Sequence, residues 1–492
     1  MYYNLLKNIA KDNSEAVAFY IEADVVGPEL FDFMSREDDR FVRVGYSEFY
    51  EIIKRIVKSM GKNYNLRGEY MGVLAENNFE TIAILFAIWG SGYIPILLNS
   101  KMTEYEIAEI IGVTGSIKVL NQDDIRLLIQ SSMKMREGFE GEKVEERGPD
   151  ELAVILSTSG TRGKVKLVEL SFDNYYQSFN NSKKLLDYSP KDKWLLSLPI
   201  FHSGGLSIIL RALFSRASVI ITSSKNVVDN GSEIYENVMP TKLSLVQTQL
   251  KRMGDNDFPG VSKGAVVLLG GGPIEPELMS QAIIKGLKVI KVYGSTETAS
   301  MITGLTGDDF RGREKSAGKP FENVEIEILN KNREVISNGE AGEIAVKSKS
   351  IFKGYLNNQS ETEKSFFKGY YVTGDIGYLD QEGFLFVLGR EDDVIISGGE
   401  KILPCEIEKV LNQFQGVTES AVFGIESSEW GEEVCAAMVT TQVISISELK
   451  KFLGELLASY KIPKKYFIVS ELPKTSLGKI KRERLKNIAK LD

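Results

Sequence analysis

Val154-Ile155-Leu156-Ser157-Thr158-Ser159-Gly160-Thr161-Arg162-Gly163-Lys164-Val165-Lys166 is an apolar run that opens into hydroxyls, glycines and cations. The apolar half reads as a short strand. The polar half reads as a loop that can offer backbone N–H groups, side-chain hydroxyls and positive charge to polyphosphate oxygens. It is not a Walker loop, which needs four residues between its glycines, whereas only Thr161 and Arg162 separate Gly160 from Gly163. Standing alone, the segment is equally well a polar turn.

Around this loop, from Thr81 to Ile290, helical patterns alternate with short apolar runs, Ala153 to Leu156, Trp194 to Leu198, Val219 to Ile221 and Ala265 to Leu269. That alternation predicts an α/β fold with largely parallel sheets. Thr103 and Glu106 form a capping box at the head of one helix. The stretch from Thr81 to Leu98 is uncharged and almost long enough to cross a bilayer. Gly90, Gly92 and Pro95 would end a helix near Trp89 and start a strand at Ile94, so a buried helix and strand are expected, not a membrane span. The charged stretch from Met133 to Asp150 reads as a surface connection.

From Glu340 the pattern shifts to strand-like runs between glycine turns, Gly342 to Val346 and Gly383 to Leu388, which suggests a small β-rich subdomain. A charged break follows, Gly389-Arg390-Glu391-Asp392-Asp393. Beyond it, the strand-like Ser420 to Ile425 and an amphipathic pattern of Leu449, Phe452, Leu453, Leu456 and Leu457 imply a separate α+β unit. At 492 residues the chain exceeds what one core supports. The expected division is a large N-terminal domain, residues 1–391, made of α/β subdomains plus the β-rich subdomain, and a smaller α+β domain, residues 392–492.

Acidic residues number 68 against 60 basic ones, a net charge of -8, which leaves no footprint for nucleic acid. A single histidine, His202, excludes a multi-histidine metal site, and two cysteines, Cys405 and Cys435, cannot build a disulfide framework. A reducing cytoplasm fits best. Lys7, Lys11 and Asp12 interrupt the first apolar residues, so no export signal is expected.

The loop resembles the signature loop of the adenylate-forming superfamily of acyl-CoA synthetases, luciferases and peptide-synthetase adenylation domains, and further motifs follow in that superfamily's order. Tyr293-Gly294-Ser295-Thr296-Glu297-Thr298 resembles its adenine and magnesium motif, and Tyr371-Val372-Thr373-Gly374-Asp375 its ribose motif. Arg390 with Asp392 resembles its hinge. Pro473-Lys474-Thr475-Ser476-Leu477-Gly478-Lys479-Ile480-Lys481-Arg482 resembles its C-terminal catalytic-lysine motif. The loop departs from the usual pattern at Arg162, Val165 and Leu167 but keeps the cation Lys166, so altered loop stiffness is expected with nucleotide binding retained.

The resemblance implies ATP, Mg²⁺ and coenzyme A as cofactor and co-substrates, and a small carboxylic acid as substrate. ATP converts the acid to an acyl-AMP, and the acyl group then passes to a thiol. Ser157, Thr158, Ser159, Gly160, Thr161, Gly163 and Lys166 would hold the phosphates, and Glu297 the magnesium ion, with Thr296 beside it. Tyr293, Gly294 and Ser295 would face one side of adenine, with Gly270, Gly271, Gly272 and Pro273 lining the other. Asp375 would accept the ribose hydroxyls and Arg390 reinforce that end. Lys479 would stabilise the charge that develops between carboxylate and α-phosphate. Asp392 would be the hinge of a mobile C-terminal domain. Read singly, Glu297 is a helix-start glutamate, Asp375 a turn residue and Lys479 part of a solvated basic face.

Phe201-His202 through Leu206-Ser207, Arg211, Gly270 to Pro273, Tyr293 to Ser300 and Ser316-Ala317-Gly318-Lys319-Pro320 are similar to the branch that activates o-succinylbenzoate for menaquinone synthesis. That acid has two carboxylates; Arg211 is the candidate partner of the one not activated, and His202 steers the acid or closes its pocket. Otherwise Arg211 caps a helix or pairs with a structural acid, and His202 is a buried, hydrogen-bonded side chain. Other acids, transfer to a carrier protein, and a nucleotide-binding module without catalysis stay open, as does assembly with like copies.

Overall fold

The computed structural model describes the chain apart from residues 13–14, 28–29, 31–33, 39, 64–69, 116, 135–147, 160–164, 223–237, 256–260, 262, 273, 398–399, 428–429, 476–477 and 490–492. The described residues form two compact units, one of residues 1–160, 164–325 and 347–369, the other of residues 326–346 and 370–492.

In the first unit one sheet runs in the order Gly354–Tyr355, Val165–Ser171, Leu152–Ser159, Ile94–Asn99, Tyr70–Ala75, Lys118–Leu120. Tyr70–Ala75 and Ile94–Asn99 pair in parallel, from Tyr70 opposite Ile94 to Ala75 opposite Asn99. The helix Phe79–Gly90 that links them is buried at every residue, as a helix apolar on all sides beyond its first turn must be in water, and the buried Glu80 of that first turn accepts from the Gly27 N–H at 2.9 Å. Asn78 caps it, accepting from the Thr81 N–H at 2.8 Å, and Gly92 takes φ 81° just beyond its end. The expected helix and strand are both present. Among the described residues no helix is long and apolar enough to cross a membrane. The Thr103–Glu106 capping box also forms, at the head of helix Glu104–Thr114.

The second sheet of this unit places Lys193–Leu195 between Ser218–Ile221 and Lys242–Leu245 and continues through Val266–Leu269 to Lys288–Tyr293, all in parallel. The run expected to be strand as far as Leu198 ends at Leu195. The Ser197 hydroxyl donates to the Ser244 carbonyl, and Gln249 Nε2 donates to the Ser197 carbonyl at 2.8 Å. Those side-chain bonds bend the chain toward Pro199 in place of a ladder. The C-terminal ends of these strands share the edge at which open α/β sheets bind ligands.

The helix Tyr2–Asp12 closes the core. Tyr2 meets Trp89, Phe172 and Phe214 edge-on at 4.9, 4.7 and 5.5 Å between centroids. Its hydroxyl donates to the Phe172 carbonyl at 2.8 Å, so the ring is buried with its polar atom satisfied.

In the second unit Gly342–Lys347, Tyr370–Leu379 and Leu385–Arg390 pair antiparallel, and a 3₁₀ turn, Glu391–Asp393, follows directly. The chain then builds a sheet from Glu400–Ile402, Ile395–Ser397, Gly431–Thr440 and Val417–Ser427, with Lys465–Ile468 added against Gly431–Thr440. Strand alternation divides its residues between two cores. Val422, Val434, Ala436 and Met438 pack with Ile407, Leu411, Leu449 and Leu453. Ala421, Phe423, Cys435 and Ala437 pack with Leu485 and Ala489. Leu456, read as part of the apolar stripe of helix Ile446–Leu456, is instead 53% exposed, since Leu449 and Leu453 alone point fully inward on that helix.

Candidate active site

The strands Leu152–Ser159 and Val165–Ser171 pair antiparallel, with Ser157 opposite Leu167, Thr158 opposite Lys166 and Ser159 opposite Val165. Gly160, Thr161 and Gly163, expected at the phosphates, lie outside the described residues, as does Pro273. Lys166 Nζ contacts Glu361 Oε1 at 2.5 Å and stands 4.9 Å from the centroid of the Tyr355 ring. The Tyr355 hydroxyl donates to Glu297 Oε1 at 3.1 Å. A cation, an aromatic ring and a carboxylate are thus joined over three separate segments of the first unit.

Glu297 and Thr296 sit in the 3₁₀ turn Thr296–Thr298, which leaves strand Lys288–Tyr293 through Gly294 and Ser295. A Cβ on Gly294 would lie 1.8 Å from the Ser300 carbonyl oxygen, so this return is open only to glycine. Ser295 N–H donates to Thr298 Oγ1 at 2.8 Å, and Phe352 N–H donates to the Glu297 carbonyl at 2.8 Å. Ala299 and Ser300 both take positive φ, 51° and 100°, a costly conformation for side-chain-bearing residues of the kind held at functional sites. The Ser295 hydroxyl is buried with no hydrogen-bond partner among the described residues. On the neighbouring parallel strand Val266–Leu269, Gly270 and Gly271 follow the last residue, while Gly272 is exposed. A Cβ on Gly270 would come 3.0 Å from Val292 Cγ2, and Gly271 takes φ 91°. Tyr293 and the glycines therefore leave adjacent strands at the same edge.

His202 is half-buried at the head of helix Ser203–Ser215, and its carbonyl accepts from the Leu206 N–H at 3.0 Å. Gly205 lets the helix start against the preceding turn: its Cβ would lie 2.1 Å from the Pro199 carbonyl oxygen. Arg211, on the same helix, is 3% exposed. Its Nη2 donates to Ser300 Oγ at 3.3 Å, and it hydrogen-bonds the Tyr188 hydroxyl. Burial pushes its pKa below the ordinary value, and Tyr188 and Tyr175 act the other way. No carboxylate among the described residues pairs with it. The Tyr175 hydroxyl and Ser207 Oγ, the latter one helical turn before Arg211, are buried without hydrogen-bond partners among the described residues. A buried cation beside unused hydroxyls is unfavourable unless an anion joins them.

In the second unit Arg390 Nη1 donates to Asp375 Oδ1 and to the Thr373 carbonyl, both at 3.0 Å. The Asp375 N–H donates to Thr373 Oγ1 at 3.0 Å, and Gly374 takes φ 71° between them. Asp392 is exposed in the turn Glu391–Asp393. Lys479 is exposed on a tight return in which Thr475 N–H donates to its carbonyl at 2.8 Å and its own N–H donates to Thr475 Oγ1 at 3.1 Å. Just beyond it, Arg482 Nε donates to the Val422 carbonyl, Nη1 to Asp393 and Nη2 to Glu408, at 3.0, 3.0 and 2.6 Å.

Tyr355, Glu361, Asp393 and Glu408 were not singled out from sequence. Gly354-Tyr355 carries no chemical signature of its own, and the ion partners of Lys166 and Arg482 are 195, 89 and 74 positions away. Among the described residues no group of three or more His, Cys, Asp or Glu could hold a metal ion.

A family model described as AMP-binding enzyme matches residues 28–356, and one described as AMP-binding enzyme C-terminal domain matches residues 406–479. The chain is 34% identical over 456 residues to a 2-succinylbenzoate–CoA ligase of Bacillus subtilis, covering 91% of this chain and 93% of that one. It is 34% identical over 466 residues to a protein of the same name from Listeria monocytogenes, covering 92% and 97%. Among solved structures it is similar to o-succinylbenzoate CoA synthetase of Bacillus subtilis in complex with the acyl-adenylate OSB-AMP, at TM-score 0.85, 31% identity and 98% of each chain. The same Bacillus subtilis protein with ATP and a magnesium ion matches at TM-score 0.83 and 31% identity over 98% of this chain and 99% of that one.

Proposed function

This chain belongs to the AMP-binding enzyme family, and we propose that it is the AMP-forming ligase that joins o-succinylbenzoate to coenzyme A through an acyl-adenylate. In the first step an oxygen of the substrate carboxylate attacks the α-phosphorus of ATP, the bond to the β-phosphate oxygen breaks, and pyrophosphate leaves. In the second the thiol of coenzyme A loses its proton and attacks the acyl carbon, and AMP leaves. The product enters menaquinone synthesis, as the sequence resemblance implies.

In this reading Ser157, Thr158, Ser159, Gly160, Thr161, Gly163 and Lys166 bind the polyphosphate. Tyr293, Gly294, Ser295 and the Gly270 to Pro273 turn hold adenine, and Asp375, its rotamer fixed by Arg390, takes the ribose hydroxyls. Magnesium favours one or two carboxylates with phosphate oxygens and retained water. The carboxylate of Glu297 fits a magnesium ion that arrives with the nucleotide; when bound, the ion would neutralise charge on the departing pyrophosphate. Thr296 flanks it. Lys479 places an ammonium where negative charge grows, an effect worth about 3 kcal/mol by analogy with oxyanion donors. Asp392 is the hinge, and residues 392–492 the part that turns between the two steps. The cytoplasm supplies ATP and coenzyme A, and both free thiols, Cys405 and Cys435, suit that compartment.

The observation that favours a dicarboxylate is the buried Arg211 with the unused hydroxyls of Tyr175 and Ser207. A guanidinium and two hydroxyls match a carboxylate that is bound but not activated. His202 lies at the head of the same helix and steers the acid. The test offers purified protein ATP, magnesium and coenzyme A with o-succinylbenzoate, benzoate, medium-chain fatty acids or amino acids, and identifies thioester and AMP by mass spectrometry. o-Succinylbenzoyl-CoA should form far faster than any other thioester. AMP formation with another acid alone would refute the substrate.

A further inference from the structure

The proposed magnesium carboxylate and the proposed phosphate cation come from segments 131 positions apart, Lys166 and Glu297, and one side chain touches both. Tyr355 is 6% exposed, and its position is fixed from several directions. The two-residue strand Gly354–Tyr355 pairs antiparallel with the return strand of the loop, Gly354 opposite Glu169 and Tyr355 opposite Val168. Tyr355 N–H donates to Thr362 Oγ1 at 2.9 Å, its ring meets that of Phe352 at 4.9 Å, and Phe352 N–H holds the Glu297 carbonyl. The ring cannot follow Lys166 without carrying its hydroxyl, which holds Glu297 Oε1 at 3.1 Å.

Resting on the function proposed above, we propose that Tyr355 is a positioning residue that couples Lys166 to Glu297. Its ring face holds the Lys166 ammonium beside the phosphate loop, and its hydroxyl fixes one oxygen of Glu297, so that the carboxylate is oriented for the cation that accompanies the nucleotide. The chemistry at each end is complementary. An aromatic face attracts an ammonium through its quadrupole. A phenolic O–H satisfies one carboxylate oxygen without adding a charge that would compete with the metal, and such outer partners typically set metal affinity by about ten- to a hundredfold.

The test measures binding, not turnover. Manganese replaces magnesium, and its binding to the full-length protein is followed by electron paramagnetic resonance with α,β-methylene-ATP present; calorimetry measures the same nucleotide in EDTA. Tyr355→Phe keeps the ring and should raise the manganese Kd about tenfold or more while moving the metal-free nucleotide Kd less than twofold. In a Glu297→Gln background it should add nothing. Tyr355→Leu, which also removes the ring beneath Lys166, should weaken metal-free nucleotide binding as well. An unchanged manganese Kd for Tyr355→Phe overturns the proposal, as does an equal loss with and without metal, which packing alone would give. Unchanged metal-free binding in Tyr355→Leu overturns the Lys166 half. Wild-type protein that binds no manganese with the nucleotide, or binds it independently of Glu297, overturns the functional reading as well, and so separates the two failures.

Discussion

Replacing Arg211 with methionine should separate substrate recognition from stability in a way few buried-arginine substitutions do. Arg211 is 3% exposed, and its side-chain partners among the described residues are uncharged, Ser300 Oγ at 3.3 Å and the Tyr188 hydroxyl. Methionine of similar length removes a buried charge that no carboxylate among the described residues compensates, so the melting temperature should stay level or rise. Arg482 supplies the contrast, because its loss would strand Glu408 and Asp393, with side chains only 14% and 31% exposed, at a cost of about 3 kcal/mol or more. Recognition should move the other way. A hydrogen bond to a charged group contributes about 1.5–3 kcal/mol, so kcat/KM for o-succinylbenzoate should fall about ten- to a hundredfold. Because the lost contact is made away from the reacting carboxylate, the loss should fall mainly on KM. The assay is acid-dependent pyrophosphate release with o-succinylbenzoate and with benzoate as the monocarboxylate reference, alongside calorimetric unfolding. Equal losses on both acids, or a large fall in melting temperature with selectivity intact, would refute the assignment of Arg211 to the substrate's second carboxylate.

Lys479→Ala should slow acyl-AMP formation on the order of a hundredfold, yet leave thioester formation from supplied acyl-AMP near the wild-type rate; equal losses in rapid-quench assays of the two steps would remove its role. Glu361→Gln frees Lys166 of its anionic partner and should tighten metal-free pyrophosphate binding roughly threefold by calorimetry, the scale of a partly exposed ion pair. Lys291 is pushed down from its ordinary value to about 8 by burial. The unfolded chain then holds one more proton than the folded one between about pH 8 and 10, so this residue makes stability rise with pH across that window. Urea unfolding of wild type and Lys291→Met at pH 7.5 and pH 10 should show the wild type gaining relative to the variant, and parallel behaviour would contradict the depressed pKa.

Much of the architecture followed from local pattern, for reasons visible in single elements. The stretch from Thr81 to Leu98 could be divided into helix and strand because Gly92 and the residues around it cannot continue an apolar helix, and the structure ends that helix at Gly90. Leu456 misled because helical spacing gives a stripe but not its width: helix Ile446–Leu456 lies on a sheet that covers Leu449 and Leu453 and leaves the last turn open. Trp194 to Leu198 misled for a different reason. Its last residues are apolar, but the Ser197 carbonyl is claimed by Gln249 and its hydroxyl by the Ser244 carbonyl, partners supplied by tertiary structure alone.

At the site, what could be read was chemical type in a recognisable order, and what could not was how each group is held. Glu297 and Lys479 stand in motifs, whereas Tyr355 is an ordinary strand residue until its ring and hydroxyl are seen to reach Lys166 and Glu297. Arg482 makes the same point in the second unit. It opens helix Arg482–Ala489, an end of a helix where the dipole disfavours a cation, so intrinsic preference speaks against arginine there. Three bonds reverse that preference: one to a backbone carbonyl and two to carboxylates on the turn Glu391–Asp393 and the helix Pro404–Leu411. The return that carries Lys479 and the turn that carries Asp392 therefore share one anchor, because Arg482 follows the first closely and its partner Asp393 adjoins Asp392. No local window of sequence contains that pairing, since its members are 89 positions apart.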